Sequence, residues 1–123
     1  KGIKIANGDL ICFIDADMTV NKNYLNNIFD YFNNNKIDYL GCNVKLFPLK
    51  ITLTAKYNCI YDFNIETDIY KNHYSPTCCL TVSKKIFKTL GYFDDRLESG
   101  GDWEFGQRVF DLCPTTGRRP YSA

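Results

Sequence analysis

The run Asp9-Leu10-Ile11-Cys12-Phe13-Ile14-Asp15-Ala16-Asp17 sets five consecutive apolar residues between acids. So short and unbroken a run reads as a strand covered on both faces, the habit of parallel sheets. Behind it, Tyr24, Leu25, Ile28, Phe29 and Phe32 recur at helical spacing, with Asn21 as candidate N-cap and Asn33 to Lys36 as the stop. Tyr39 to Phe47 then reads as a second strand. This β–α–β order predicts an α/β fold: a mostly parallel sheet with right-handed crossovers and flanking helices.

Past Pro48, the residues Ile51, Ala55, Cys59 and Phe63 lie four apart, which predicts one long helix from about Lys50 to Tyr70. His73 to Thr77 reads as a loop and Cys78 to Val82 as a short strand. Ser83 is placed to cap a helix carrying Ile86, Phe87 and Leu90, closed by Gly91. An acid- and glycine-rich loop runs from Tyr92 to Gly101. A last helix then carries Phe105, Val109 and Leu112. From Pro114 onward no packing pattern is visible, so residues 1–112 are expected to form the domain and 113–123 an unstructured or artificial tail.

With 123 residues the chain holds one domain at most. A hydrophobic content of 45% and a charged content of 24% exclude wholesale disorder. Lys+Arg of 15 against Asp+Glu of 14 leaves +1, which excludes a nucleic-acid binder that works by displacing phosphate counterions. The pair Arg118-Arg119 is too short to alter that. The longest clear apolar run, Leu10 to Ile14, is far too short to cross a bilayer. Six cysteines include no Cys-x-x-Cys pair, and the adjacent Cys78 and Cys79 suit neither a zinc site nor a simple disulfide framework. They are expected to be buried thiols, which points to a reducing, cytoplasmic compartment. The chain opens on Lys1 with no leader pattern and is read as a piece of a longer protein.

Two acidic groups carry the chemistry. Asp15-Ala16-Asp17 stands where a buried strand ends, the place where open α/β sheets bind ligands. Two carboxylates there suit a hard cation such as Mg²⁺ or Mn²⁺ that shares its shell with phosphate; Asp17 equally suits a turn-shaping role. Gly100-Gly101-Asp102-Trp103-Glu104 is the second group. Asp102 at a helix start is favoured as the carboxylate and is a candidate general base, or simply an N-cap. Trp103 is placed to line a pocket or to pack in the core, and Glu104 to support Asp102 or to face water. His73, the sole histidine, reads as a loop residue.

In combination these segments resemble the inverting glycosyltransferases of family 2, which have the GT-A nucleotide-sugar fold. Ala6-Asn-Gly-Asp-Leu-Ile-Cys-Phe-Ile-Asp15-Ala-Asp17 is similar to the family's Ala-x-Gly, apolar strand and DxD motif. Thr77-Cys-Cys-Leu-Thr-Val-Ser-Lys-Lys-Ile-Phe87 resembles its strand and basic pair, with Cys79 where Asn is usual. Leu90-Gly-Tyr-Phe-Asp-Asp-Arg-Leu97 resembles the Leu-Gly-x-Phe-Asp-Glu-x-Leu stretch. Gly100-Gly-Asp-Trp-Glu-Phe-Gly-Gln-Arg108 resembles the acceptor-side motif, with Gly101 where Glu is usual.

The resemblance implies that Asp15 contacts the donor ribose and assists the metal, and that Asp17 coordinates Mn²⁺ or Mg²⁺ on the diphosphate. Asp102 would deprotonate the acceptor hydroxyl, with Gly100, Gly101, Trp103 and Glu104 on the acceptor side. The implied partners are a nucleotide-sugar donor and a carbohydrate, lipid-linked or protein acceptor, with peripheral attachment to the cytoplasmic face of a membrane as a further implication. The family's upstream donor-binding strand and loop have no match here, so the chain is expected to be a partial GT-A domain that transfers no sugar alone. Competing readings are a nucleotidyltransferase or other Mg²⁺-dependent phosphate-processing enzyme, which leaves the Gly-Gly-Asp-Trp-Glu segment unexplained, and a non-catalytic binding module of the same shape.

Overall fold

The computed structural model describes residues 1–48, 50–61, 64–116 and 121–122, with side chains throughout except at 60, 61, 113–116, 121 and 122. A short helix α1 (Gly2–Ile5) leads into strand β1 (Leu10–Cys12). Helix α2 (Tyr24–Asn35), strand β2 (Tyr39–Gly41) and helices α3 (Leu53–Tyr61) and α4 (Ile65–Tyr70) follow. A 3₁₀ turn at Thr77–Cys79 opens into strand β3 (Leu80–Ser83). Helices α5 (Lys84–Leu90) and α6 (Gly101–Thr116) and a two-residue strand β4 (Tyr121–Ser122) complete the order.

The sheet corrects the expectation of a mostly parallel one. Its order is β1-β3-β2-β4, and β3 runs antiparallel to both neighbours, pairing Ile11 with Val82 and Leu40 with Thr81. β1 and β2 still point the same way, as a β–α–β unit requires, but β3 occupies the slot between them. Its composition explains why. Leu80, Thr81 and Val82 are all 0% exposed, and only a central strand offers cover on both faces and both edges. The parallel ladder is confined to β2 and β4.

Alternation along the strands builds a layer on each side of the sheet. Ile11, Tyr39, Leu80 and Val82 face α5 and α6, meeting Ile86, Phe87, Phe105 and Val109. Leu40, with Leu10 and Cys12 beside it, faces α2 and its buried Ile28 and Phe32. A third cluster packs Ile65 and Ile69 of α4 against Cys78 and Cys79. β1 is therefore covered on both faces, as its unbroken apolar run predicts.

Local chemistry moves several boundaries. The Asn21 side chain accepts from the Asn23 N–H rather than capping, and α2 starts at Tyr24. It continues through Asn35 and ends at Lys36 in the left-handed conformation, φ 52°. The single long helix expected from Lys50 to Tyr70 is two helices, and Asn64 caps the second by accepting from the Thr67 N–H at 3.2 Å. Of the expected apolar stripe, Ile51 and Cys59 are exposed, and Phe63 lies outside the described residues. The expected tail also contains structure: α6 extends to Thr116 and Tyr121–Ser122 pair with β2, whereas 117–120 and Ala123 lie outside the described residues.

Candidate functional site

A cleft of about 650 Å³ opens at the carboxyl end of β1. Asp15 and Asp17 line it together with Thr19, Asn43, Lys45, Phe47 and Cys78. The strand carries the acids there. The Phe13 N–H donates to the Leu80 carbonyl at 2.8 Å, extending the β1–β3 ladder by one bond, and the chain then turns with Met18 N–H on the Asp15 carbonyl. Both carboxylates are exposed, free to meet a ligand. One cleft is lined by both.

Asp102 belongs to a different element, the first turn of α6. Gly100 precedes it at φ +75°, a left-handed conformation that suits a residue without Cβ. Asp102 does not cap the helix through its side chain. Its Oδ1 accepts from the adjacent Trp103 N–H at 2.9 Å. It does not line the cleft that holds Asp15 and Asp17.

An aromatic cluster holds these groups in register. Phe13, two residues before Asp15, meets Phe93 edge-on at 5.6 Å. Phe93 meets Phe105, three residues after Asp102, at 4.7 Å, and Phe87 stacks on Phe105 at 5.0 Å. Ring pairs at these separations fix orientation as well as bury area.

Other motif residues serve the frame. Glu104 is forked with Arg108 at 2.6 and 2.7 Å, one helical turn apart. Arg108 also donates to the carbonyls of Leu90 and Tyr92, clamping the α5 exit onto α6. Trp103 is 54% exposed. In the basic pair, Lys84 donates from its side chain to the Ala6 carbonyl, and Lys85 forms an ion pair with Asp38 at 2.7 Å. Both bonds pin the ends of β1 and β2. Sequence reading missed Asn43, Lys45 and Phe47 because it extended β2 through them; the strand stops at Gly41 and the following chain forms the cleft wall.

Among the described residues no group of three or more His, Cys, Asp or Glu comes together; the cleft presents the two carboxylates of Asp15 and Asp17. Mg²⁺ characteristically takes one or two carboxylates and fills its shell with water and substrate phosphate.

The burial expected of the thiols holds only in part: Cys78 and Cys79 are buried, Cys12 and Cys42 half-buried, and Cys59 is exposed. Among the described side chains all five cysteines are free. Burial pushes Cys79 up to about 12, against an ordinary value of 9.0, and raises Cys42 and Cys78 as well. Cys79 packs beside the buried Ser75 hydroxyl at 3.6 Å. It is Cys78, not Cys79 at the family's Asn position, that lines the cleft. The unfolded chain loses these protons above pH 9 while the folded chain keeps them, so stability is full below pH 9 and falls as pH rises toward 12. Denaturant titrations at about pH 8 and about pH 10 are expected to show the lower midpoint at the higher pH. At neutral pH, iodoacetamide is expected to modify the exposed Cys59 ahead of Cys78 and Cys79, as read by peptide mass.

Residues 1–91 match the family Glycosyl transferase family 2, and the chain belongs to it. Among curated proteins it is similar to Glycosyltransferase AglE of Haloferax volcanii, 25% identical over 111 residues. That alignment covers 89% of this chain and 36% of the relative, so the chain spans about a third of the length of the curated protein it matches. No solved structure gives a significant match. Among the described residues no helix is long and apolar enough to cross a membrane.

Proposed function

We propose that this domain takes part in transferring a sugar from a nucleoside-diphosphate donor to an acceptor hydroxyl, with inversion at the anomeric carbon. The observation that carries the reading is the pairing of Asp15 and Asp17 on one cleft at the end of β1, in a chain of this family. A divalent cation bound there would neutralise charge building on the leaving diphosphate. Asp15 also suits a contact to the donor ribose.

Asp102 takes the proton from the acceptor hydroxyl. That oxygen forms a bond to the anomeric carbon as the bond to the diphosphate oxygen breaks on the opposite face. The exposed Trp103 and the turn at Gly100 and Gly101 bound the acceptor side. Glu104 contributes indirectly, by holding Arg108 and with it the start of α6. The acceptor class is a carbohydrate, a lipid-linked sugar or a protein, and the buried thiols fit a cytoplasmic setting.

Calorimetry of inorganic pyrophosphate binding with and without Mn²⁺ tests the cleft. Binding is expected to require Mn²⁺ and to weaken roughly tenfold or more in Asp17→Asn, because a neutral amide loses the ligand charge. Equal binding by Asp17→Asn and the parent would remove the metal role of the cleft.

A further inference from the structure

The stretch after β2 is packed through alternate residues. The Cys42 N–H donates to the Cys79 carbonyl at 2.9 Å, carrying the β2–β3 ladder one bond past Gly41. Cys42 and Val44 are half-buried and pack against the cluster of Ile65, Ile69, Cys78 and Cys79. The residues between and after them, Asn43, Lys45 and Phe47, are exposed. A period of two is what an extended segment shows when one side is packed. Lys45 thereby stands on the wall of the cleft that Asp15 and Asp17 also line.

Lys45 is the one cationic side chain among the residues that line this cleft. Among the described residues it has no ion-pair partner, Asp15 and Asp17 included. Other lysines are engaged in the frame: Lys84 on the Ala6 carbonyl and Lys85 on Asp38. An ammonium group that shares a cleft with two carboxylates, yet pairs with neither, keeps its charge for a ligand.

The charge balance in the cleft points to the ligand. A divalent cation offsets the two carboxylates and leaves the charge of a bound diphosphate unmatched by the protein. That charge grows during transfer: the bond from the anomeric carbon to the diphosphate oxygen breaks, and its electron pair stays on that oxygen. A fixed positive group aimed at developing charge lowers the barrier. Lysine suits the task, as a compact point charge on a flexible stem that binds phosphate well. We propose that Lys45 contacts the diphosphate and stabilises it as the leaving group. The inference rests on the sugar-transfer reading of the cleft and adds a residue to it.

Calorimetry of pyrophosphate binding to the 123-residue chain, in the presence of Mn²⁺, tests the contact. Lys45→Gln is expected to weaken binding by about fivefold, the upper end for an exposed ion pair. Its binding should also depend less on salt. Lys45→Arg keeps the charge and is expected to stay within about twofold of the parent. Lys88→Gln removes the same charge from an exposed site on α5 that does not line the cleft, and is expected to bind as the parent does. Mn²⁺ alone is expected to bind Lys45→Gln no more weakly than the parent, since removing a positive charge repels no cation. The melting curve of Lys45→Gln is expected to be unchanged, because the side chain is exposed and unpaired among the described residues. Parent-like pyrophosphate affinity in Lys45→Gln, beside a loss in Asp17→Asn, overturns the Lys45 contact and leaves the metal role of the cleft standing. An equal loss in Lys88→Gln, or a matching loss of Mn²⁺ affinity in Lys45→Gln, also overturns it. Absence of Mn²⁺-dependent pyrophosphate binding by the parent removes the cleft reading and this inference with it.

Discussion

Gly106→Ala is expected to destabilise the protein by about 3 kcal/mol, the upper part of the range for overpacked sites. Gly106 is buried on α6, where the chain between α4 and β3 crosses it. A Cβ there would collide with the His73 carbonyl oxygen and stand 2.6 Å from Tyr74 Cβ and 2.7 Å from Tyr74 Cα. Two of these three are backbone atoms, so no rotamer change relieves the contact. The crossing segment has little room to yield. His73 is already held at φ +58° and stacks on Phe110 at 3.6 Å. Two residues on, the Ser75 N–H donates to the buried Tyr39 hydroxyl at 2.8 Å. Gly41→Ala offers the contrast. Its Cβ would meet only side-chain atoms of Ile65, Ile69 and Ser75, which have some freedom to shift. Urea denaturation of both variants checks the ranking; a Gly106→Ala midpoint at or above that of Gly41→Ala would contradict it.

Asp102→Asn is expected to lower transfer by about 10³-fold in the full-length protein, within the span for loss of a general base. An amide keeps the shape and still accepts from the Trp103 N–H, so the α6 start should stay in place. What it loses is the ability to take the acceptor proton. Mn²⁺-dependent pyrophosphate binding is expected to be unchanged, since Asp102 does not line the cleft that holds Asp15 and Asp17. This split separates the two acidic groups by role. Turnover by Asp102→Asn within a few-fold of the parent, on any donor that the parent uses, would sink the base assignment.

What could be read from the chain follows from how local each determinant is. β1 was legible because cover on both faces writes itself as an unbroken apolar run. The α2 and α6 cores were legible because Ile28 and Phe32, or Phe105 and Val109, recur at one helical turn. The slot taken by β3 was not, because insertion between β1 and β2 depends on burial shared among three distant segments. The four-residue spacing of Ile51, Ala55 and Cys59 misled for a different reason: spacing identified a helix but not its buried side, and Ile51 and Cys59 are exposed. The place of Asp15 and Asp17 at a strand end was legible, but the Glu104–Arg108 fork was not read, although its i,i+4 spacing was there to find: Glu104 was expected to support Asp102 or to face water. Lys45 and Asn43 were not, since a cleft wall made of irregular chain leaves no period in the sequence.

The central place of β3 has a consequence for how the molecule comes into being. When β1, α2 and β2 have left the ribosome, the two strands have no direct ladder to make with each other in the finished sheet, because both bond to Leu80–Ser83. Until that segment emerges, their inner edges stay unpaired and Ile11 and Tyr39 lack Leu80 and Val82 to pack against. Closure therefore waits on contacts remote in the chain, which makes sheet assembly an all-at-once and comparatively slow event. Nascent chains stopped short of Ser83 are expected to be the ones that chaperones hold and proteases cut.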